Sequence, residues 1–60
     1  RELEIIRMVC DGFTNKEIAL ELDISIRTVE VHRKNIGKKT FTKNTAGIVV
    51  FAIRNGLYKV

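Results

Sequence analysis

Residues 14–39 read TNKEIALELDISIRTVEVHRKNIGKK, and the pattern within them decides the fold. Thr14 opens the stretch as a helix N-cap with Glu17 three residues on, a spacing at which hydroxyl and carboxylate each satisfy the other's backbone amide. Ile18, Ala19 and Leu22 follow at helical spacing, giving a short helix that ends near Leu22. Asp23 and Ile24 form a tight connection with Ile24 turned inward. Ser25 is a second N-cap, and a longer helix runs from Ile26 to about Lys39. At 100° per residue, Val29, His32, Ile36 and Thr40 share one side of it. Arg27, Val31, Lys34 and Lys38 fall opposite, flanked by Glu30 and Asn35. The first side belongs in a core. The second carries positive charge and one small apolar side chain.

The flanks are helical too. Upstream, Ile5, Ile6, Val9 and Cys10 form an amphipathic stripe on a helix from about Glu2 to Asp11, which Gly12 stops. Downstream, Phe41-Thr42-Lys43 leads to an N-cap at Asn44 or Thr45. A fourth helix over 45–55 holds Ile48, Val49, Phe51, Ala52 and Ile53 and stops at Gly56. Val49, Val50 and Ile53 widen its apolar surface beyond one stripe, so it needs a second partner surface. A two-fold dimer contact is one reading; packing of all three under the first helix is the other. The expected fold is all-α, four helices in a single domain over residues 1–60.

Composition bounds the rest. With 45% apolar residues the chain is no disordered tail. One cysteine cannot form an internal disulfide, and one Cys with one His is no metal site. The most apolar stretch, residues 48–53, is too short to span a membrane, and membrane contact is not expected. The chain opens on Arg1-Glu2 as if mid-helix, which reads as a piece cut from a longer, intracellular protein. The net charge of +4 is unevenly placed. Residues 1–26 carry three basic and six acidic side chains, whereas residues 27–43 carry six basic and one acidic. Such segregation is the footprint of a polyanion-binding surface or, more blandly, of a solvated lysine-rich helix.

Two helices joined by a short turn, the second one basic, are the layout of a helix-turn-helix, whose second helix enters the major groove of DNA. The sequence resembles the LuxR/NarL/FixJ-type C-terminal domain over essentially its whole length. The matching stretches are Gly12-Phe13-Thr14-Asn15-Lys16-Glu17-Ile18-Ala19, Ile24-Ser25, Arg27-Thr28-Val29-Glu30-Val31-His32-Arg33, Lys43-Asn44-Thr45 and Ala52-Ile53-Arg54-Asn55-Gly56-Leu57. The resemblance implies that helices two and three read double-stranded DNA and that helix four makes a homodimer contact. It also implies an N-terminal regulatory domain, as in two-component response regulators, a cytoplasmic location, and RNA polymerase as a further candidate partner. Two positions depart from the family pattern, Gly37 and Gly47. An interior glycine costs a helix about 1 kcal/mol relative to alanine, so Gly37 predicts a loosely held end to helix three.

Lys34 sits mid-face and can donate to guanine O6 or N7; Val31 can touch a thymine methyl; Glu30 can accept from cytosine N4 or pair with Lys34 one turn on. Arg27, Thr28, Arg33, Lys38 and Lys43 suit phosphate contact, as do the helix N-termini at Asn15, Lys16 and Ser25. Val49, Val50 and Ile53 are the candidate dimer face. His32 reads as a structural histidine at the core edge and Cys10 as a buried small hydrophobe. No glycine-rich phosphate loop, metal cluster or nucleophile–base pair points to an enzyme, and no cofactor is expected. The alternatives are a sigma-factor region-four-like module, which needs no apolar face on helix four, and a helical protein-interaction module without DNA binding.

Overall fold

The computed structural model describes residues 1–59, in which four helices run in order: α1 Glu2–Cys10, α2 Asn15–Leu22, α3 Ile26–Thr40 and α4 Thr45–Arg54. No strand occurs among the described residues. Helix α1 packs on α4 and α3, while α2 packs on α3. The core is the apolar stripe of each helix: Ile5, Ile6 and Val9; Ile18 and Ala19; Val29 and Ile36; Ile48 and Ala52. Val29 and Ile36 lie two turns apart on α3, so one face of that helix is dry and the other is bare.

The N-termini of α2, α3 and α4 are closed by local side chains. The Thr14 hydroxyl accepts from the Glu17 amide at 3.1 Å and the Glu17 carboxylate accepts from the Thr14 amide at 2.8 Å, a complete capping box. Ser25 accepts from the Thr28 amide at 3.0 Å, and Asn44 accepts from the Gly47 amide at 2.8 Å.

The C-termini share one device. Each helix is followed by a left-handed residue (Gly12, Asp23, Phe41 or Gly56) and the next amide returns to the carbonyl five residues back. The four bonds are Phe13 to Met8, Ile24 to Ala19, Thr42 to Gly37 and Leu57 to Ala52, at 2.9–3.0 Å. This is the Schellman closure, which satisfies carbonyls the helix leaves unpaired. Glycine takes the left-handed conformation without strain, and aspartate tolerates it. Phe41, at φ 58, does so at a steric cost with its ring 95% exposed.

Helix α3 does not end loosely at Gly37. It continues to Thr40, one residue past the expected end, and the Gly37 carbonyl anchors the Thr42 amide at 3.0 Å. The Thr40 hydroxyl donates to the Ile36 carbonyl at 2.7 Å and shares a hydrogen bond with the Thr42 hydroxyl at 2.9 Å. A Cβ on Gly37 would meet the Thr42 carbonyl oxygen at 3.3 Å, and one on Gly47 would meet the Thr42 Cβ at 3.1 Å. Both glycines therefore make room for the same linker residue, wedged between α3 and α4. The other ends shift by one residue: α1 stops at Cys10 with Asp11 as its cap, and α4 at Arg54 with Asn55 as its cap.

Two substitutions should move stability in opposite directions. Phe41→Gly removes a steric cost of about 1 kcal/mol and almost no buried surface, which should raise the melting temperature by roughly 4–8 °C in a domain this small. Gly47→Ala should lower it, because overpacking against Thr42 costs about 1–3 kcal/mol against a helix-propensity gain of about 1 kcal/mol. Thermal melts followed by circular dichroism check both; a Gly47→Ala protein melting at or above the parent would sink the wedge.

Candidate nucleic-acid interface

The turn between α2 and α3 is three residues, Asp23, Ile24 and Ser25, with Ile24 half-buried against the core. It fixes α3 across α2 and leaves the outer face of α3 in solvent. On that face Arg27, Glu30, Val31, Lys34, Asn35 and Lys38 line one shallow concavity of about 280 Å³. The three candidate base readers, Glu30, Val31 and Lys34, are thus brought together with two candidate phosphate contacts. Val31 is an apolar side chain 45% exposed among cations. Glu30 makes no ion pair with Lys34: the ion pairs among the described residues are Arg1–Glu4 and Lys39–Glu2.

A second groove of about 410 Å³ runs between α3 and the start of α4. Its cationic lining is Arg33, Lys34, Lys38 and Lys43. Lys34 and Lys38 border both hollows, so the positive surface is continuous from the outer face of α3 to the N-terminus of α4. Arg27, Lys34, Lys38 and Lys43 are all exposed and none is ion-paired among the described residues. Helix N-termini add partial positive charge at Asn15, Ser25 and Asn44.

Not every expected contact is free. Ser25 and Thr28 share a hydrogen bond between their hydroxyls at 2.9 Å, and the Thr28 amide donates to the Ser25 hydroxyl, so both side chains are engaged in capping α3. Lys16 is exposed at the start of α2. Asn15 is half-buried and its Oδ1 accepts from Arg33 Nη1 at 2.7 Å, while Arg33 Nη2 donates to the Thr45 hydroxyl. Thr45 and Thr42 were not among the expected site residues. Their partners lie in other elements, and nothing local in the sequence marks them.

The candidate dimer face divides. Val49 is half-buried against the core, whereas Val50 and Ile53 are 48% and 44% exposed. Val50 borders an apolar-walled groove of about 490 Å³ with Gly47, Phe51 and Arg54. His32 is half-buried on the core side of α3. Cys10 is half-buried beside the core rather than sealed inside it, and burial, then the neighbouring Asp11, push its thiol up. The chain's end folds back on α1: Arg7 Nε donates to the Leu57 carbonyl at 3.3 Å, and the Tyr58 hydroxyl donates to Asp11, which pushes that phenol up. No group of potential metal ligands occurs among the described residues, and no helix there is long and apolar enough to cross a membrane.

The family described as bacterial regulatory proteins, luxR family, matches residues 1–52. The probable transcriptional regulator ycf29 of Porphyra purpurea is 47% identical over 57 residues, covering 95% of this chain and 27% of that protein. The uncharacterized response regulatory protein YgeK of Escherichia coli is 46% identical over 57 residues, covering 95% of this chain and 39% of that protein. The oxygen regulatory protein NreC of Staphylococcus carnosus is 40% identical over 57 residues, covering 95% and 26% respectively. The chain therefore spans between about a quarter and two fifths of the length of these relatives.

The N-terminus of α2 should be pH-sensitive. Hydrogen bonds from the backbone and then the side chain of Thr14 hold the Glu17 carboxyl below its ordinary value of 4.5. A depressed folded-state value means the stabilisation is complete above 4.5 and is lost as pH falls through the lower, folded-state value. Melting temperatures of the parent and Glu17→Ala should differ at neutral pH and converge in acid. A gap that stays constant to low pH would refute the ionic capping box.

Proposed function

This chain belongs to the luxR family of bacterial regulatory proteins, and from that premise we propose that it is the DNA-binding output module of a transcriptional regulator, of the two-component response-regulator kind. The observation that carries this reading is the outer face of α3, where exposed Arg27, Lys34 and Lys38, without an ion-pair partner among the described residues, surround Glu30 and Val31 in one concavity. A major groove about 12 Å wide admits one helix, and α3 is the helix whose bare face suits it. In this reading Lys34 donates to guanine O6 or N7, Val31 meets a thymine methyl and Glu30 accepts from cytosine N4. An acidic group facing a polyanion is costly without such a partner.

Arg27, Thr28, Lys38 and Lys43, with the amides at Lys16 and Ser25, hold the sugar-phosphate backbone and set the register of α3. Exposed Val50 and Ile53 on α4 form the homodimer contact on DNA, which a sigma-factor-like module does not need. Each relative extends well beyond the region matched here. The rest of such a protein would carry the regulatory domain, controlling exposure of α3 or dimerisation, with RNA polymerase as a downstream partner. With DNA as its ligand the protein works in the cytoplasm. No catalytic role is assigned to it.

The test is selection from a randomised duplex library at two salt concentrations, with the parent, Lys34→Ala and Lys38→Ala. The parent should enrich a short, roughly palindromic motif. Lys34→Ala should cost about 1–3 kcal/mol and relax one base position, whereas Lys38→Ala should weaken all sequences alike and reduce the salt slope by about 1. A folded parent that enriches no motif would refute the reading in favour of a protein-interaction module.

A further inference from the structure

Arg33 was expected among the phosphate contacts, but its geometry assigns it another task. We propose that Arg33 is a positioning residue that ties the N-terminus of α2 to that of α4 across α3, and so sets the tilt at which α3 is presented. The proposal rests on the DNA-binding reading and deepens it.

One guanidinium makes both ties. Nη1 reaches Asn15, the first residue of α2, and Nη2 reaches Thr45, the first residue of α4. Among the described residues these are the only side-chain hydrogen bonds that join α2 to α3 and α3 to α4. Helix α2 makes its main packing contact with α3 alone. Its angle to the rest is therefore set by the packing of Ile18 and Ala19 in the core, by the turn at residues 23–25 and by this one polar tie.

The residue type fits the task. A planar guanidinium presents donors in a fixed fork and can hold two acceptors at a set separation; a lysine ammonium is a point charge on a flexible stem. Both acceptors are neutral, so the bonds consume donors without cancelling charge. Arg33 thus adds to the positive field of the face while its fork is occupied inside the protein. The two helix starts it joins flank α3 and carry backbone amides suited to phosphate. Fixing their separation fixes how well both can meet the backbones that border one groove while α3 lies between them.

The test uses variants that keep the charge. Arg33→Lys and Thr45→Val, checked for folding by circular dichroism, are titrated with the selected duplex and with random duplex over a salt series. Each should lose about tenfold in affinity for the selected duplex and less for random duplex, with the salt slope unchanged. Lys43→Ala should instead lower the slope by about 0.9 and leave the preference intact. The double variant Arg33→Lys/Thr45→Val should be no worse than Arg33→Lys alone, since that variant already breaks the bond Thr45→Val removes. Arg33→Lys binding within twofold of the parent, Thr45→Val binding as well or better, or additive losses in the double variant would each make Arg33 an ordinary phosphate ligand. If the parent itself selects no motif, the functional reading fails, and the tie is judged on the free protein by hydrogen exchange. Both single variants should then speed exchange of the Gly47 and Ile48 amides several-fold; unchanged exchange there overturns the tie.

Discussion

Each of the other three helices packs on α3, and that helix must stay dry on one side and bare on the other. Val29 and Ile36 are fully buried at a spacing of two turns, which leaves Arg27, Val31, Lys34 and Lys38 outward by helical geometry. A rotation of α3 by one residue, 100°, would drive Glu30 in one sense, or Thr28 and Asn35 in the other, toward the core. Burying an unpaired charge costs far more than burying a valine or isoleucine gains. The core therefore fixes the azimuth of the bare cationic face by packing alone. In a chain of 60 residues with no disulfide, this coupling of core register to surface register is what gives so small a domain a fixed cationic face.

The parts of this arrangement set by local rules were legible in the sequence. The two faces of α3 follow from periodicity, the capping box from Thr14 and Glu17 at the right spacing, and the stops of α1 and α4 from Gly12 and Gly56. The left-handed closure at Phe41 was not legible, because an aromatic there defies the propensity that reveals glycine stops; position in the fold overrides it. Nor was the role of Gly37 and Gly47. Each reads as a local weakness, and its reason, room for Thr42, exists only once α3 and α4 are side by side. Likewise composition alone could not divide Val49 from Val50 and Ile53, because the division depends on how α4 is rolled against α1.

Counting positive charge overstates the interface in a similar way. Lys38 and Lys39 are adjacent, yet they point to different tasks. Lys38 borders both cationic hollows, while Lys39 Nζ bonds Glu2 at 3.0 Å and ties the end of α3 to the start of α1. Exposed pairs of this kind contribute little stability, typically 0–1 kcal/mol. What the pair does is occupy one cation of α3 and give the acidic N-terminal segment a fixed neighbour. The charge segregation in the sequence is thus partly neutralised across the fold, and the remaining field concentrates on one side.

The cations of residues 27–43 therefore separate into two groups by what their donors already hold. Arg27, Lys34, Lys38 and Lys43 make no ion pair among the described residues and line the bare face or its border. Arg33 and Lys39 have partners in other helices. The first group can exchange water and counterions for phosphate or base edges at little structural cost. The second would first have to release an internal bond, losing part of the geometry that makes the first group useful. A helix that both presents free cations and ties its neighbours together must keep these tasks on different side chains. Here the division follows the helix's own period: Lys34 and Lys38, one turn apart, face outward, while Arg33 is half-buried on a flank where α2 and α4 come within reach.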